Sequence, residues 1–484
     1  MMFHALKGVS DVDVQQVVCE LPEALDPAAF AQAWREMVVR HDALRLSFSW
    51  NGAGEPRQSV QPAEETAGAL EVAVKDISAH ENARAEIETY LAADRRRGFS
   101  SLEAAPLLRV ALFTGRASGA PRSWWIATYH HILLDARSMV PLFSDVMACY
   151  EALASGEPTS FSRPAPRFSA FAQWLQSVDH ARAETFWREH LRGFSTPTTL
   201  PIARMSLDAA NDHGSADLVE KLSESATTQL RRAAERHAVT LNTLVQAAWA
   251  LVLSRYSGED EVVFGALRAC RHVPVEGAAD MVGLLINTVP VRSRATDATP
   301  VTEWLQGLRR QWVAFRDHEH TPLSRVQAWS DVPVGHALFD TLLNFQETSW
   351  EAALQGLGGK WAQRRLEIRS RTGYPLAIDV YGGSALMLRA FYERNRFEAA
   401  AIARLLGHFR TALEALAADA CQTVGDLSLL SAGERQRILV DWNRTDAAYP
   451  RATCVHHEFE RRVELAPDRI AVTDTATALT YREL

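Results

Sequence analysis

The spacing of apolar positions changes along the chain, and each change predicts an element. Residues 14–21 (VQQVVCEL) suit a strand. Asp26-Pro27 reads as an N-cap with proline at the first helical position, and Phe30, Trp34 and Val38 recur at spacing four on one face of the following helix. After Arg40-His41-Asp42 the period drops to two in LRLSFSW, and Asn51-Gly52 marks a turn. The charged stretch 92–96 (AADRR) predicts a solvated helix end. Residues 107–114 and 124–131 (WWIATYHH) read as buried strands. Val140, Phe143, Met147 and Tyr150 give one apolar face to a helix over 138–153. The stretch 156–168 (GEPTSFSRPAPRF), with its prolines and glycine, marks a linker.

A second series follows. Thr240 caps a helix over 241–257 that Gly258 stops, and EVVFGAL (261–267) suits a strand. Residues 376–392 read as two strands joined at Gly382-Gly383, with Ile378 and Val380 facing Leu386 and Leu388; 397–418 is a long amphipathic helix. Helices mixed with strands at irregular intervals predict layered α/β or α+β architecture, without a short-period repeat. These breaks predict an N-terminal lobe over 1–160, a C-terminal lobe over 161–430, and a third segment over 431–484. That last segment opens with a polar connector (SAGERQRILVDWNRTDAAYP) and runs to LTYREL.

Of the 484 residues, 47% are hydrophobic and 23% charged, enough apolar material for more than one core and incompatible with overall disorder. Lys and Arg number 51 against 59 Asp and Glu, a net charge of −8, which argues against nucleic-acid or anionic-membrane partners. The five cysteines (Cys19, Cys149, Cys270, Cys421, Cys454) lie far apart without a C-x-x-C. No disulfide framework or cysteine zinc site is therefore expected, and the reducing cytoplasm is the expected compartment. No run of 18 apolar residues predicts a membrane span, and the opening MMFHALKGVSDVD lacks the pattern of a signal peptide.

The strongest local chemical signal is His130-His131-Ile132-Leu133-Leu134-Asp135-Ala136-Arg137-Ser138, which ends a buried strand and opens a helix. A histidine held there projects from a rigid element and can take a proton at neutral pH. Backbone donors at the helix start could receive a developing oxyanion. An aspartate four residues on can fix the turn or pair with an arginine. Taken alone, a histidine pair is more often part of a core or a turn.

Other stretches change its meaning. The pair resembles H-H-x-x-x-D-G, the signature of condensation domains of nonribosomal peptide synthetases within the chloramphenicol-acetyltransferase-like superfamily. R-H-D-A-L-R-L-S-F (40–48), F-S-A-F-A-Q-W (168–174), M-V-G-L-L-I-N-T-V-P-V-R (281–292), H-E-H-T-P-L (318–323) and L-F-D-T-L-L-N-F-Q (338–346) are similar to that family's further motifs, in order. P-D-R-I-A-V and L-T-Y-R-E-L near the end resemble the opening of an adenylation domain. Two departures stand out. The family's opening S-x-A-Q-x-R is absent, so the chain is expected to begin after it. Ala136 replaces a glycine; if a positive φ were needed there, alanine would cost about 1 kcal/mol.

The resemblance implies two chloramphenicol-acetyltransferase-like lobes in a V-shaped pseudodimer with a central tunnel. It implies amide-bond formation between an acyl thioester and an aminoacyl thioester, with His131 as the catalytic or amine-positioning residue. His130 is then expected to pack against the scaffold. Asp135 is expected to be structural, with Arg292 as the favoured ion-pair partner and Arg45 as the alternative. Arg137, Ser138 and Asn344 are the expected substrate contacts. No permanently bound cofactor or metal is implied; phosphopantetheine arms and acyl-CoA are substrates. The implied partners are a downstream aminoacyl carrier protein, an adenylation domain, and an acyl-CoA or an upstream acyl or peptidyl carrier protein. L-L-D-A-R-S and A-L-R-A-C-R-H (266–272) look closer to starter domains, which acylate the first amino acid, than to elongating ones. Epimerising, ester-forming and non-catalytic recruitment domains share the fold and remain alternatives. His456-His457 lacks the following aspartate and reads as solvated surface, and His318 and His320 read as loop residues rather than metal ligands.

Overall fold

Two local signals open the fold where the sequence sets them. Strand β1 (Val14–Leu21) is followed by helix α1 (Pro27–Arg40), whose first turn is closed by Asp26 accepting from the Ala29 amide at 2.7 Å. Proline at the first helical position gives up an N–H that has no helical partner there anyway. In this computed structural model residues 13–50, 56–80, 82–117, 120–161, 163–202, 214–370, 373–418, 420–448 and 451–484 are described. The Asn51-Gly52 turn and the opening twelve residues lie outside them. The chain divides into two units, Met1–Leu429 and Leu430–Leu484.

In the first unit, β2 (Leu46–Ser49) and β3 (Arg57–Val60) form a hairpin. β4 (Glu71–Asp76), β5 (Leu108–Ala117) and β6 (Ala120–His130) follow, then helices α2 (Met139–Ala154) and α3 (Phe168–Gln176). Further on come β7 (Ser215–Lys221), α4 (Leu241–Ser257), β8 (Glu261–Arg268), β9 (Asn287–Arg294) and β10 (Thr341–Gln346). β11 (Arg365–Arg369), β12 (Leu376–Tyr381), β13 (Met387–Glu393) and α5 (Ala399–Ala418) complete the unit. One sheet runs β11–β1–β6–β5–β4 and the other β7–β13–β12–β10–β8–β9.

Each sheet has its own core. Against the first pack α1 and α2, where Trp34 meets Trp125 edge-on at 5.9 Å and Trp125 meets Phe143 at 4.9 Å. The second is filled by α4 and α5, and α4 is buried over most of its surface. Thr240 caps α4 by accepting from the Thr243 amide, and Gly258, at φ 77°, ends it. β11 comes late in the chain yet pairs antiparallel with β1, and Trp350, Leu354 and Trp361 join the first core.

Two sequence expectations need correction. Asp94 is buried, not solvated, because the helical period places it on the inward face of Ala83–Arg97 with Ile87 and Leu91; Arg109 of β5 balances its charge at 2.9 Å. Val380 faces Leu388 as expected, but Ile378 faces Ala390, since each two-residue step along β12 moves two residues the other way along antiparallel β13.

In the second unit, helix Val455–Leu465 and the hairpin of β14 (Ile470–Thr473) and β15 (Ala478–Thr480) leave every described residue at least partly accessible. Among the described residues no single helix is long and apolar enough to cross a membrane.

Two partly buried histidines give the first unit an acid-sensitive stability. His190 stacks on Phe186, and His320 meets the Trp174 ring edge-on at 4.6 Å. Burial, with Arg292 and Arg268 respectively adding repulsion, pushes both rings down to about 4. Unfolded, they protonate near 6.5, so between these values the unfolded chain binds more protons and stability rises with pH. That stabilisation is complete above pH 6.5 and is lost as pH falls towards 4. We expect His190→Phe to remove about 2 kcal/mol of the stability difference between pH 7 and pH 5, read from urea unfolding at both pH values. An unchanged difference would contradict this assignment.

Candidate functional site

β6, the central strand of the first sheet, delivers the histidine pair at its C-terminal end. His130 is held on all sides: its amide donates to the Leu107 carbonyl at 3.0 Å, its Nδ1 accepts from the Ile132 amide at 3.1 Å, and its ring meets Phe99 edge-on. His131 is only partly buried. Its amide donates to the Asp13 carbonyl at 2.7 Å, and its Nδ1 lies 2.9 Å from the Leu134 carbonyl oxygen. A carbonyl can only accept, so in the neutral ring Nδ1 carries the proton and Nε2 keeps the lone pair.

His131 lines a cavity of about 560 Å³, within the range of about 300–1,000 Å³ usual for small-molecule sites. Gln15, Tyr129 and Ile368 of the first sheet contribute to its wall, as do Asn344, Asp379 and Tyr381 of the second. Leu267, Leu284, Ile286, Leu338, Phe339 and Leu342 make much of the remainder apolar.

Asp135 stands behind His131 with no exposed surface. Its Oδ1 accepts from the Ser138 amide and hydroxyl, both at 3.0 Å, and from Arg271 Nη2 at 2.7 Å; Oδ2 accepts from the Leu285 amide at 3.0 Å. Arg271 also donates to the carbonyl oxygens of Ala278, Ala279 and Met281. Ser138 donates to the Gly283 carbonyl and accepts from the Gly283 amide. Phe168 packs so closely on Gly283 that a Cβ there would overlap its ring. The turn after β6 is thus pinned to the β8–β9 connection by a buried ion pair and its hydrogen bonds.

The other motifs serve the same purpose. Asp42 accepts from the Phe168 and Ser169 amides and so caps α3. Asn287 donates to the Glu319 and Thr321 carbonyl oxygens, while Arg268 pairs with Glu319. Five separated stretches of sequence form one scaffold around the histidine.

Several expected contacts fall elsewhere. Arg292 does not pair with Asp135. It sits opposite Val263 on β9, about 17 Å along the strand from Asn287 at 3.4 Å per residue, and pairs with Glu261. Arg45 donates to the Val38 and Gln61 carbonyl oxygens. Ser138 is buried and committed to Asp135 and Gly283, so it presents nothing to a substrate. Its amide is likewise occupied by Asp135 and is no oxyanion donor. Arg137 is exposed and does not line the cavity. Ala136 does line it; among the described non-glycine residues only Ala238 and Cys270 have positive φ, so no left-handed penalty arises at Ala136. Asn344 lines the cavity and donates to Asp379 Oδ1 at 3.1 Å.

Sequence reasoning misses Arg271, Asp379 and Tyr381. A signal for Arg271 exists: it lies on the same β8–β9 connection as the 281–285 stretch. In the second unit Cys454, His456 and His457 bring possible ligand atoms within 4.8 Å of one another, all three exposed.

Comparison with known proteins gives the family and the fold. The family described as Condensation domain matches residues 1–439. A linear gramicidin synthase polypeptide of Brevibacillus parabrevis is 37% identical over 100% of the chain, which spans only 6% of that relative. Bacitracin synthase 1 of Bacillus licheniformis is 30% identical, again over 100% of the chain and 9% of the relative. Among solved structures, the starter condensation domain of rhizomide synthetase RzmA superposes with a TM-score of 0.70 at 20% identity, covering 89% of this chain and 97% of the other. The X-domain from teicoplanin biosynthesis gives 0.74 at 22%, covering 88% and 95%. At these identities the structural likenesses establish the fold.

Proposed function

This chain belongs to the condensation domain family, and we propose that it joins the carbonyl of an acyl thioester to the amine of an aminoacyl thioester held on a carrier protein. The observation that carries this reading is His131: its Nδ1 is engaged by the Leu134 carbonyl, its Nε2 is left basic, and it lines a cavity between two sheets. A thioester is already activated, so the step needs orientation and proton transfer more than a protein nucleophile. The acceptor's ammonium form first gives up one proton to solvent; the free amine nitrogen then attacks the thioester carbon, the C–N bond forms and the C–S bond breaks. The nitrogen's proton passes through His131 Nε2 to the leaving sulfur. Asp135 and Arg271 touch no reacting atom; they hold the turn that aims the ring.

For the donor, the starter reading has one physical support, the apolar wall of Leu267, Leu284, Ile286, Leu338, Phe339 and Leu342, which suits an acyl chain. Arg137 and the charged residues of 266–272 do not add to it, since Arg137 lies off the cavity and Arg268 and Arg271 are spent on Glu319 and Asp135. The carriers, the adenylation domain and acyl-CoA follow from the family as proposed partners and substrates.

The test is intact-mass measurement of an aminoacyl carrier protein incubated with the chain and either octanoyl-CoA or a peptidyl carrier protein. A mass gain from octanoyl-CoA is the expected result. Gain only from the peptidyl donor would replace the starter reading with an elongating one. No gain from either would overturn amide formation.

A further inference from the structure

The cavity wall contributed by β12 carries a carboxylate that the scheme above does not use. Asp379 sits in register with Asn344 on β10 and with Arg389 on β13, so the three form one row across the sheet. Asn344 Nδ2 donates to its Oδ1 and the Tyr381 hydroxyl to its Oδ2, each at 3.1 Å. Both donors are neutral. The cation in the row is spent elsewhere: Arg389 pairs with Asp217 at 3.0 Å and lies over the Phe391 ring. Among the described residues no lysine, arginine or histidine forms an ion pair with Asp379. Glu351 adds a second carboxyl group nearby, which burial pushes up, and its Oε2 is buried without a hydrogen-bond partner.

A carboxylate withdrawn from water, with two neutral donors and only the field of Arg389, which pairs with Asp217, has no cation bonded to it. Burial pushes the Asp379 carboxyl up, while the bonds from Asn344 and Tyr381 favour its ionised form. The cavity it lines is the one that His131 lines, and the acceptor in the proposed reaction arrives as a primary amine, largely an ammonium at neutral pH. Apart from Asp13, a buried carboxylate that makes interactions of its own, the rest of the wall offers such a group no counter-charge.

We propose that Asp379, held by Asn344 and Tyr381, is the group that receives the acceptor's ammonium and so selects an amine over an uncharged acceptor. This rests on the amide-forming reading for its substrate but makes a separate claim about binding. It assigns Asn344 a positioning role through Asp379.

The experiment compares two stable acceptor mimics by calorimetry at pH 7: N-acetyl-N′-alanyl-ethylenediamine, which carries the amine, and N-acetyl-N′-propionyl-ethylenediamine, which lacks it. The chain should bind the first about tenfold more tightly. Asp379→Asn should bind both alike, with its urea midpoint checked for folding. In the carrier assay the same substitution should raise KM for the aminoacyl carrier about tenfold and leave the donor KM unchanged. A merely structural role would weaken both ligands together. No amine preference in the unaltered chain, or a preference that survives in Asp379→Asn, overturns the inference, and the first result needs no folded variant. Amine preference without turnover would sink the amide-forming reading and leave this one standing.

Discussion

Replacing His131 with alanine should cut amide formation by about 10²- to 10⁴-fold, the usual contribution of a general acid–base group, while thermal unfolding stays close to that of the unaltered chain. The ring is only partly buried, and the hydrogen bond it loses is a single Nδ1 contact to Leu134. The Asp13 carbonyl keeps its partner, since that bond comes from the backbone amide. Single-turnover product mass, with calorimetric unfolding of the same preparation, checks both halves. Full activity in a folded His131→Ala protein would remove the residue from the chemistry.

Replacing Asp135 with alanine should do the opposite to stability. The change leaves Arg271, whose side chain is 4% exposed, without its counter-charge, takes the side-chain acceptor from the Leu285 amide, and removes one of the two acceptors facing the Ser138 hydroxyl and amide. Breaking a buried pair from one side costs about 3–5 kcal/mol, so the urea midpoint should fall well below that of His131→Ala. Removing both charges separates this from a general loss of packing. Asp135→Ala/Arg271→Met should lose less stability than the two single changes added together, because neither charge is then left alone. Additive losses would mean the pair is not coupled. Activity should fall with stability, since the turn that aims His131 is the one being released.

Elements with local punctuation were legible in the sequence. Asp26-Pro27 and the Thr240–Gly258 bracket each contain their own start or stop chemistry, and the structure places α1 and α4 there. The histidine pair was legible for the same reason, as it lies on the last residue of a strongly apolar strand and the one after it. Contacts set by register were not. Asp135 could be read as one half of an ion pair, but its partner depended on how far along β9 Arg292 lies and on where the β8–β9 connection turns back. Asn344 could be carried over by resemblance; Asp379 is next to it only because β10 and β12 align those two positions. The same reasoning explains Asp94, whose charge suggested solvent while its helical phase carried it inward to Arg109.

The pairing of β11 with β1 has a consequence for recombining such chains. The proline-rich stretch at 156–168 looks like a natural joint, and a chimera cut there would take its first 160 residues from one parent. Yet the outer edge of the first sheet, and Trp350, Leu354 and Trp361 in its core, would then come from the other parent. The hybrid would have to match a foreign strand to β1 in register and foreign indoles to Phe143 and its neighbours, or leave an open, aggregation-prone edge. The unit of exchange that keeps every strand with its own partner is the whole of Met1–Leu429.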